Sequence, residues 1–124
     1  MKREGIPVMN TELYKHWGRM NDPVASAYVK GICGDEMEFY LVIQDERIEL
    51  VRFFTDGCDH TRICGETAAL LAEGRSLEEA LEVSPGAILR KIGDLPEDHI
   101  HCTILAALTL QKALADYLYR KYSC

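Results

Sequence analysis

No stretch of the 124-residue chain approaches the ~18 consecutive apolar residues that a bilayer-spanning helix needs, so no membrane partner is expected. The opening run from Met1 to Pro7 carries positive charge, but it leads into Asn10, Thr11, Glu12 and Lys15 in place of an apolar core. A secretory signal is therefore not expected, and a cytoplasmic location is. Basic clusters are missing too. The 14 Lys and Arg are scattered under a formal net charge of -6, which excludes a surface built to neutralise many phosphates, and no nucleic acid partner is expected. Proline and glycine are few, at 4 and 9, and with 48% hydrophobic and 27% charged residues the composition is that of one folded domain. There is no internal repeat and no CxxC pair. What the chain does have is five cysteines, an odd number. In a reducing compartment they read as metal ligands or reactive groups sooner than as a disulfide framework.

Residues 1–24 are expected to form a flexible N-terminal segment with a short helix around Thr11–Arg19, closed by the turn signal Asn21-Asp22-Pro23. Residues 25–124 make the domain. Alternation and β-formers predict strands over Ala25–Lys30, Glu36–Gln44 and Arg47–Thr55, the last two joined at hairpin distance by Asp45-Glu46. The spacing then turns helical. Thr61–Glu73 carries Ile63, Thr67, Leu70 and Leu71 on one side and stops at Gly74. Ser76 and Glu79 form a capping box, and Ser84-Pro85 opens a helix that closes at Gly93. The longest helix runs from about Ile100 to Tyr122, with Ile104, Leu105, Leu108, Leu114, Leu118 and Tyr122 as its apolar stripe. Strands first and helices after predict an α+β fold, a three-stranded antiparallel sheet with helices packed on one face.

Cys33, Cys58 and Cys102 all fall at junctions between these elements, where a thiolate finds backbone N–H groups to stabilise its charge. By spacing alone, three unrelated small core residues are as good a reading. Asp35 beside Cys33 and His101 beside Cys102 tip the balance, since each adds a ligand of different hardness to a thiol. Cys64 lies about 240° around the helix from Cys58 and reads as a packing residue. Cys124 reads as an exposed chain end. His60 and His99 read as surface residues, each two positions from a candidate ligand and within reach of zinc when no cluster is bound.

Cys33-Gly34-Asp35-Glu36-Met37, then Gly57-Cys58 behind a strand, then His101-Cys102-Thr103-Ile104-Leu105-Ala106 resemble, in order and interval, the three-part signature of the IscU/NifU N-terminal scaffold family. Phe53–Cys58, the run from Glu73 to Ala80 and the run from Ala113 to Tyr117 are similar as well, so the resemblance covers about Gly31 to Lys121. It implies a carrier protein, not an enzyme. Such a protein accepts sulfur from a cysteine desulfurase, builds a [2Fe–2S] cluster and donates it to apo iron–sulfur proteins. On this chain the resemblance makes Cys33, Cys58 and Cys102 thiolate ligands, Asp35 the labile fourth ligand and His101 an alternative, with zinc in the cluster-free protein. A carrier that must release its cargo gains from one ligand harder than thiolate. Cys102, near a helix start and next to His101, is expected to have a lowered pKa, which makes it the candidate sulfur acceptor.

The chain departs from the family in three places. After Cys58 the family has small Ala and Ser residues, whereas Asp59-His60-Thr61-Arg62-Ile63-Cys64 predicts a more polar site, richer in ligands. Leu95-Pro96-Glu97-Asp98-His99 keeps two of the five residues that a specialised Hsp70 chaperone reads, and that partner is put in doubt. The usual His-x-x-Asn-Pro pattern is reduced to His16 and the distant Asn21 and Pro23. Two alternatives follow: a zinc-dependent sulfur acceptor, although the insertion typical of that branch is missing between Cys58 and Cys102, and a divergent paralogue with a structural or regulatory zinc.

Overall fold

The computed structural model of the protein describes residues 14–122; Cys124 lies outside them. Three strands, β1 (Ala25–Lys30), β2 (Glu36–Gln44) and β3 (Arg47–Thr55), pair antiparallel in the order β1-β2-β3. Alternation along β2 sends Met37, Phe39, Leu41 and Ile43 to one face, where all are buried. The register shifts between Val42 and Ile43, a bulge that lets both Ile48 and Val51 of β3 point to that same face. Asp45 and Glu46 turn the hairpin with φ of 55° and 63°, the positive values that a tight two-residue connection requires. The turn is pinned from outside. Ile48 N–H donates to Arg75 O (2.8 Å), Gly74 N–H to Ile48 O (2.7 Å) and Leu77 N–H to Glu46 O (3.0 Å).

The buried face is covered by helices α1 (Asp59–Ala72), α2 (Leu77–Ala80), α3 (Pro85–Ile92) and α4 (His101–Tyr122), with a 3-10 turn at Glu97–His99 ahead of α4. Ser76 and Glu79 form both bonds of the capping box, and the Ser84 hydroxyl accepts from Ala87 N–H. The α+β arrangement is the expected one. No helix among the described residues is long and apolar enough to cross a membrane.

The helix faces differ from the expected stripes. On α1 the buried positions are Thr61, Cys64, Gly65, Glu66, Thr67, Ala68, Ala69 and Ala72, while Leu70 is exposed. On α4, Ile104, Leu108 and Tyr122 are exposed and Cys102, Ala106, Ala107, Leu110 and Ala113 are buried in their stead. On α1 the reason is closeness. A Cβ on Gly65 would stand 2.6 Å from the Phe53 ring, so α1 lies against β3 at a distance that only small side chains allow.

The helix expected over Thr11–Arg19 is not formed in its described part; residues 11–13 lie outside it. Phe53 N–H donates to His16 O and Gly18 N–H to Phe53 O, both at 2.8 Å, so Trp17 bridges β3 in parallel and shields that sheet edge. His16 is buried, its Nδ1 2.8 Å from Glu66 Oε2 and its Nε2 2.8 Å from Glu73 Oε1. Pairing with a strand and with two carboxylates displaces the local helical bonds that the sequence favours.

Candidate metal centre

Three chain junctions meet at one end of the sheet. The first is the β1–β2 loop, where Gly31 N–H donates to Asp35 O (2.7 Å) and Gly34 N–H to Gly31 O (3.0 Å). Gly34 sits at φ 96°, a value that puts Cys33 at the tip of a tight loop. Glu36 N–H donates to Asp56 Oδ1 (2.9 Å) and fastens this loop to the end of β3. The second junction is Gly57-Cys58, with Cys58 as the extended N-cap residue of α1. Its side chain makes no capping hydrogen bond, which leaves the sulfur for other partners. The third is the first turn of α4, carrying His101 and Cys102.

A residue that the sequence reading passed over gathers these groups. The Thr61 hydroxyl donates to Asp35 Oδ2 at 2.9 Å and lies 3.4 Å from Cys102 Sγ and 3.8 Å from Cys58 Sγ. Its place three residues after Cys58, on the same helical face, was the available signal. Of the five expected site residues, Asp35, Cys58 and Cys102 thus share one buried hydroxyl. His101 stands beside them, with Nε2 3.9 Å from Cys102 Sγ. Cys33 is exposed at the loop tip, near enough for its charge to act on Cys102. Cys64 is fully buried in the core, as a packing residue should be, and burial pushes its thiol pKa upward.

The expected lowering of the Cys102 pKa is reversed. Burial pushes it up to about 11, the Thr61 hydrogen bond pulls the other way, and the charges of Cys58, Cys33 and Asp35 raise it further. The position near the helix start does not prevail because Cys102 is 1% exposed and so has lost its water. A polar, ligand-rich run after Cys58 is, by contrast, what the structure contains. His60 Nδ1 lies 3.8 Å from Cys58 Sγ, and the His60 and His99 rings stand 3.9 Å apart between centroids.

The family model described as "NifU-like N terminal domain" matches residues 12–123 of the chain. The chain belongs to the NifU-like N-terminal family. Within that family it is 39% identical over 86 residues to "Iron-sulfur cluster assembly scaffold protein IscU 1" of Archaeoglobus fulgidus, a match covering 69% of this chain and 56% of that protein. To the IscU scaffold protein of Escherichia coli K12 it is 36% identical over 86 residues, 68% of this chain and 66% of the relative. The chain thus accounts for little more than half of the Archaeoglobus relative's length. Among solved structures, a putative scaffold protein for the SUF system from Fervidobacterium islandicum superposes with a TM-score of 0.68 at 22% identity, covering 84% of this chain and 90% of that one. A NifU-like N-terminal protein from Brucella abortus gives 0.63 at 16% identity, with 88% of each chain covered. At such identities these structures speak for the fold, and they agree on the NifU-like architecture described above.

Proposed function

We propose that this NifU-like domain is a scaffold on which a [2Fe–2S] cluster is assembled as cargo and then handed to apo iron–sulfur proteins. The observation that carries the reading is the convergence of Asp35, Cys58 and Cys102, from three separated segments, on the Thr61 hydroxyl, with Cys33 at the adjoining loop tip. In this reading Cys33, Cys58 and Cys102 hold the cluster as thiolates, Asp35 is the hard and most easily displaced ligand, and His101 is its substitute. With no cluster bound, the same set takes zinc. The domain acts as a carrier and not as an enzyme, in the cytoplasm, where its thiols stay reduced.

Sulfur comes from a cysteine desulfurase. Its entry point is Cys33, not Cys102, because Cys33 is an exposed thiol at a loop tip whereas Cys102 is buried and protonated. The Cys33 thiolate attacks the outer sulfur of the desulfurase persulfide, a new S–S bond forms, and the desulfurase cysteine leaves as its thiolate. That sulfur is at oxidation level zero, so two electrons from a thiol reductant convert it to the sulfide of the cluster.

Anaerobic reconstitution of the full chain with ferrous iron, cysteine, dithiothreitol and a desulfurase tests the proposal. A visible absorption and CD signature of a protein-bound cluster is expected, and Cys58→Ser should abolish it. A wild-type chain that stays colourless under these conditions, or a Cys58→Ser chain that keeps the full signature, would overturn it.

A further inference from the structure

Two histidines that the cluster set does not use stand on its rim. His60 is in the first turn of α1, and His99 closes the 3-10 turn before α4. The β3–α1 and α3–α4 connections bring them face to face, their rings 3.9 Å apart between centroids and tilted by 35°. One ligating atom from each of Cys58, His60 and His99 lies within 4.8 Å of the other two, and among the described residues no other group of three His, Cys, Asp or Glu side chains does this. Metal–sulfur bonds of about 2.3 Å and metal–nitrogen bonds of about 2.0–2.1 Å place tetrahedral S and N ligands about 3.5 Å apart. The 3.8 Å between Cys58 Sγ and His60 Nδ1 is therefore a few tenths of an ångström from coordination geometry.

His99 shows a second mark of a ligand. Its Nδ1 is 3.0 Å from Asp98 Oδ1. An Nδ1–H donated to that carboxylate leaves the lone pair on Nε2, and this carboxylate–histidine pairing is the outer support that metal-bound imidazoles ordinarily have. Both histidines are half-buried and Cys58 is exposed, so an ion can reach all three.

We propose that Cys58, His60 and His99 form a binding site for a single divalent transition-metal ion, ferrous iron or zinc, which shares only Cys58 with the cluster set. One thiolate and two imidazoles are donors of intermediate softness, suited to these ions and unsuited to Mg2+ or Ca2+, which require oxygen. A fourth position stays open to water or to an incoming ligand. Since Cys58 cannot complete both sites at once, an ion held here must leave, or pass inward, before Cys58 serves a cluster. That consequence rests on the scaffold reading, whereas the ion site does not.

The probe is Co2+, titrated anaerobically into the full chain carrying Cys33→Ala, so that the cluster set is broken at an exposed loop position. One Co2+ per chain should bind, with a thiolate-to-cobalt charge-transfer band and the d–d bands of a four-coordinate ion. Adding His60→Ala or His99→Ala should weaken binding by more than about 10-fold, the size that even an outer-shell partner of a metal ligand carries. Adding Cys102→Ala should leave the affinity and the band unchanged, and CD of each variant checks the fold. If the histidine substitutions leave the affinity within about twofold, or if Cys102→Ala removes the charge-transfer band, the site is not the one proposed. A wild-type chain that builds a cluster while this titration fails keeps the scaffold reading and loses only the ion site.

Discussion

Unfolding the metal-free chain should accelerate alkylation of Cys102 far more than alkylation of Cys33. Cys102 is 1% exposed and its pKa stands at about 11, so near neutral pH it is a thiol. At about pH 7.5 a group of that pKa is roughly 0.03% thiolate, against roughly 9% for an unperturbed cysteine of pKa about 8.5, a ratio of ~300. The more basic thiolate is the better nucleophile, by ~15-fold over this interval at a Brønsted slope of about 0.4–0.5. The remainder is a deficit of about 20-fold, to which burial adds steric exclusion. Brief iodoacetamide treatment in buffer and in guanidinium chloride, followed by quantitative peptide mass spectrometry, measures it. Cys102 should gain at least about 20-fold on unfolding, while the exposed Cys33 changes by a small factor. A native Cys102 that reacts within about threefold of its unfolded rate, or that reacts ahead of Cys33, would refute the reasoning and restore Cys102 as the first sulfur acceptor.

Three further outcomes follow from the same geometry. The His16 pKa is raised from 6.5, first by its hydrogen bond to Glu66 and against its burial. The stability it contributes is therefore complete below about 6.5 and is lost as pH rises through the higher folded-state value, so the Tm gap between wild type and His16→Gln should narrow from about pH 6 to about pH 9; a constant gap would contradict the raised pKa. Gly65→Ala drives a methyl to 2.6 Å from the Phe53 ring, and denaturant unfolding should show a loss of about 1–3 kcal/mol. Asp35→Ala should hold its cluster longer in air and pass it more slowly to an apo-ferredoxin, and a folded variant that holds no cluster would make Asp35 an obligatory ligand instead.

Much of the fold is legible in the sequence because its local signals agree with its long-range pairing. All three strands fall where alternation places them, since each has one face on the core and one in water. The Ser76 and Ser84 caps are equally direct, because a cap is settled by residues three apart. What misleads is the weight a pattern gives to large apolar side chains. Where α1 presses against β3, Ala, Gly, Thr and Cys fill most of the contact and Leu70 is turned outward, while on α4 small residues such as Cys102, Ala106 and Ala113 share the buried face with Leu105, Leu110 and Leu114, and Ile104 and Leu108 are turned outward. The fate of Tyr14 to Gly18 was not legible either, since it depends on Phe53, Glu66 and Glu73, far along the chain.

At the candidate metal centre the candidate ligands were readable as residue types and the constraint that assembles them was not. Gly57 has an ordinary negative-φ place in the signature, yet a Cβ there would lie 2.7 Å from Thr61 Oγ1 and 2.8 Å from Asp35 Oδ2. Glycine is required at this position for space. It lets the first turn of α1 close onto the β1–β2 loop until a hydroxyl on one touches a carboxylate on the other. The Thr61 hydroxyl is fully buried, so its bond to Asp35 stands in for the water that the carboxylate would otherwise hold. That same hydroxyl faces Cys102 Sγ at 3.4 Å and counters part of the rise in its pKa. Under the scaffold reading, a ligand that takes Asp35 Oδ2 or Cys102 Sγ competes with this hydrogen-bonded closure. Thr61, with His60 beside Cys58, ties Asp35, Cys58 and Cys102 into one polar cluster held by this chain's own side chains.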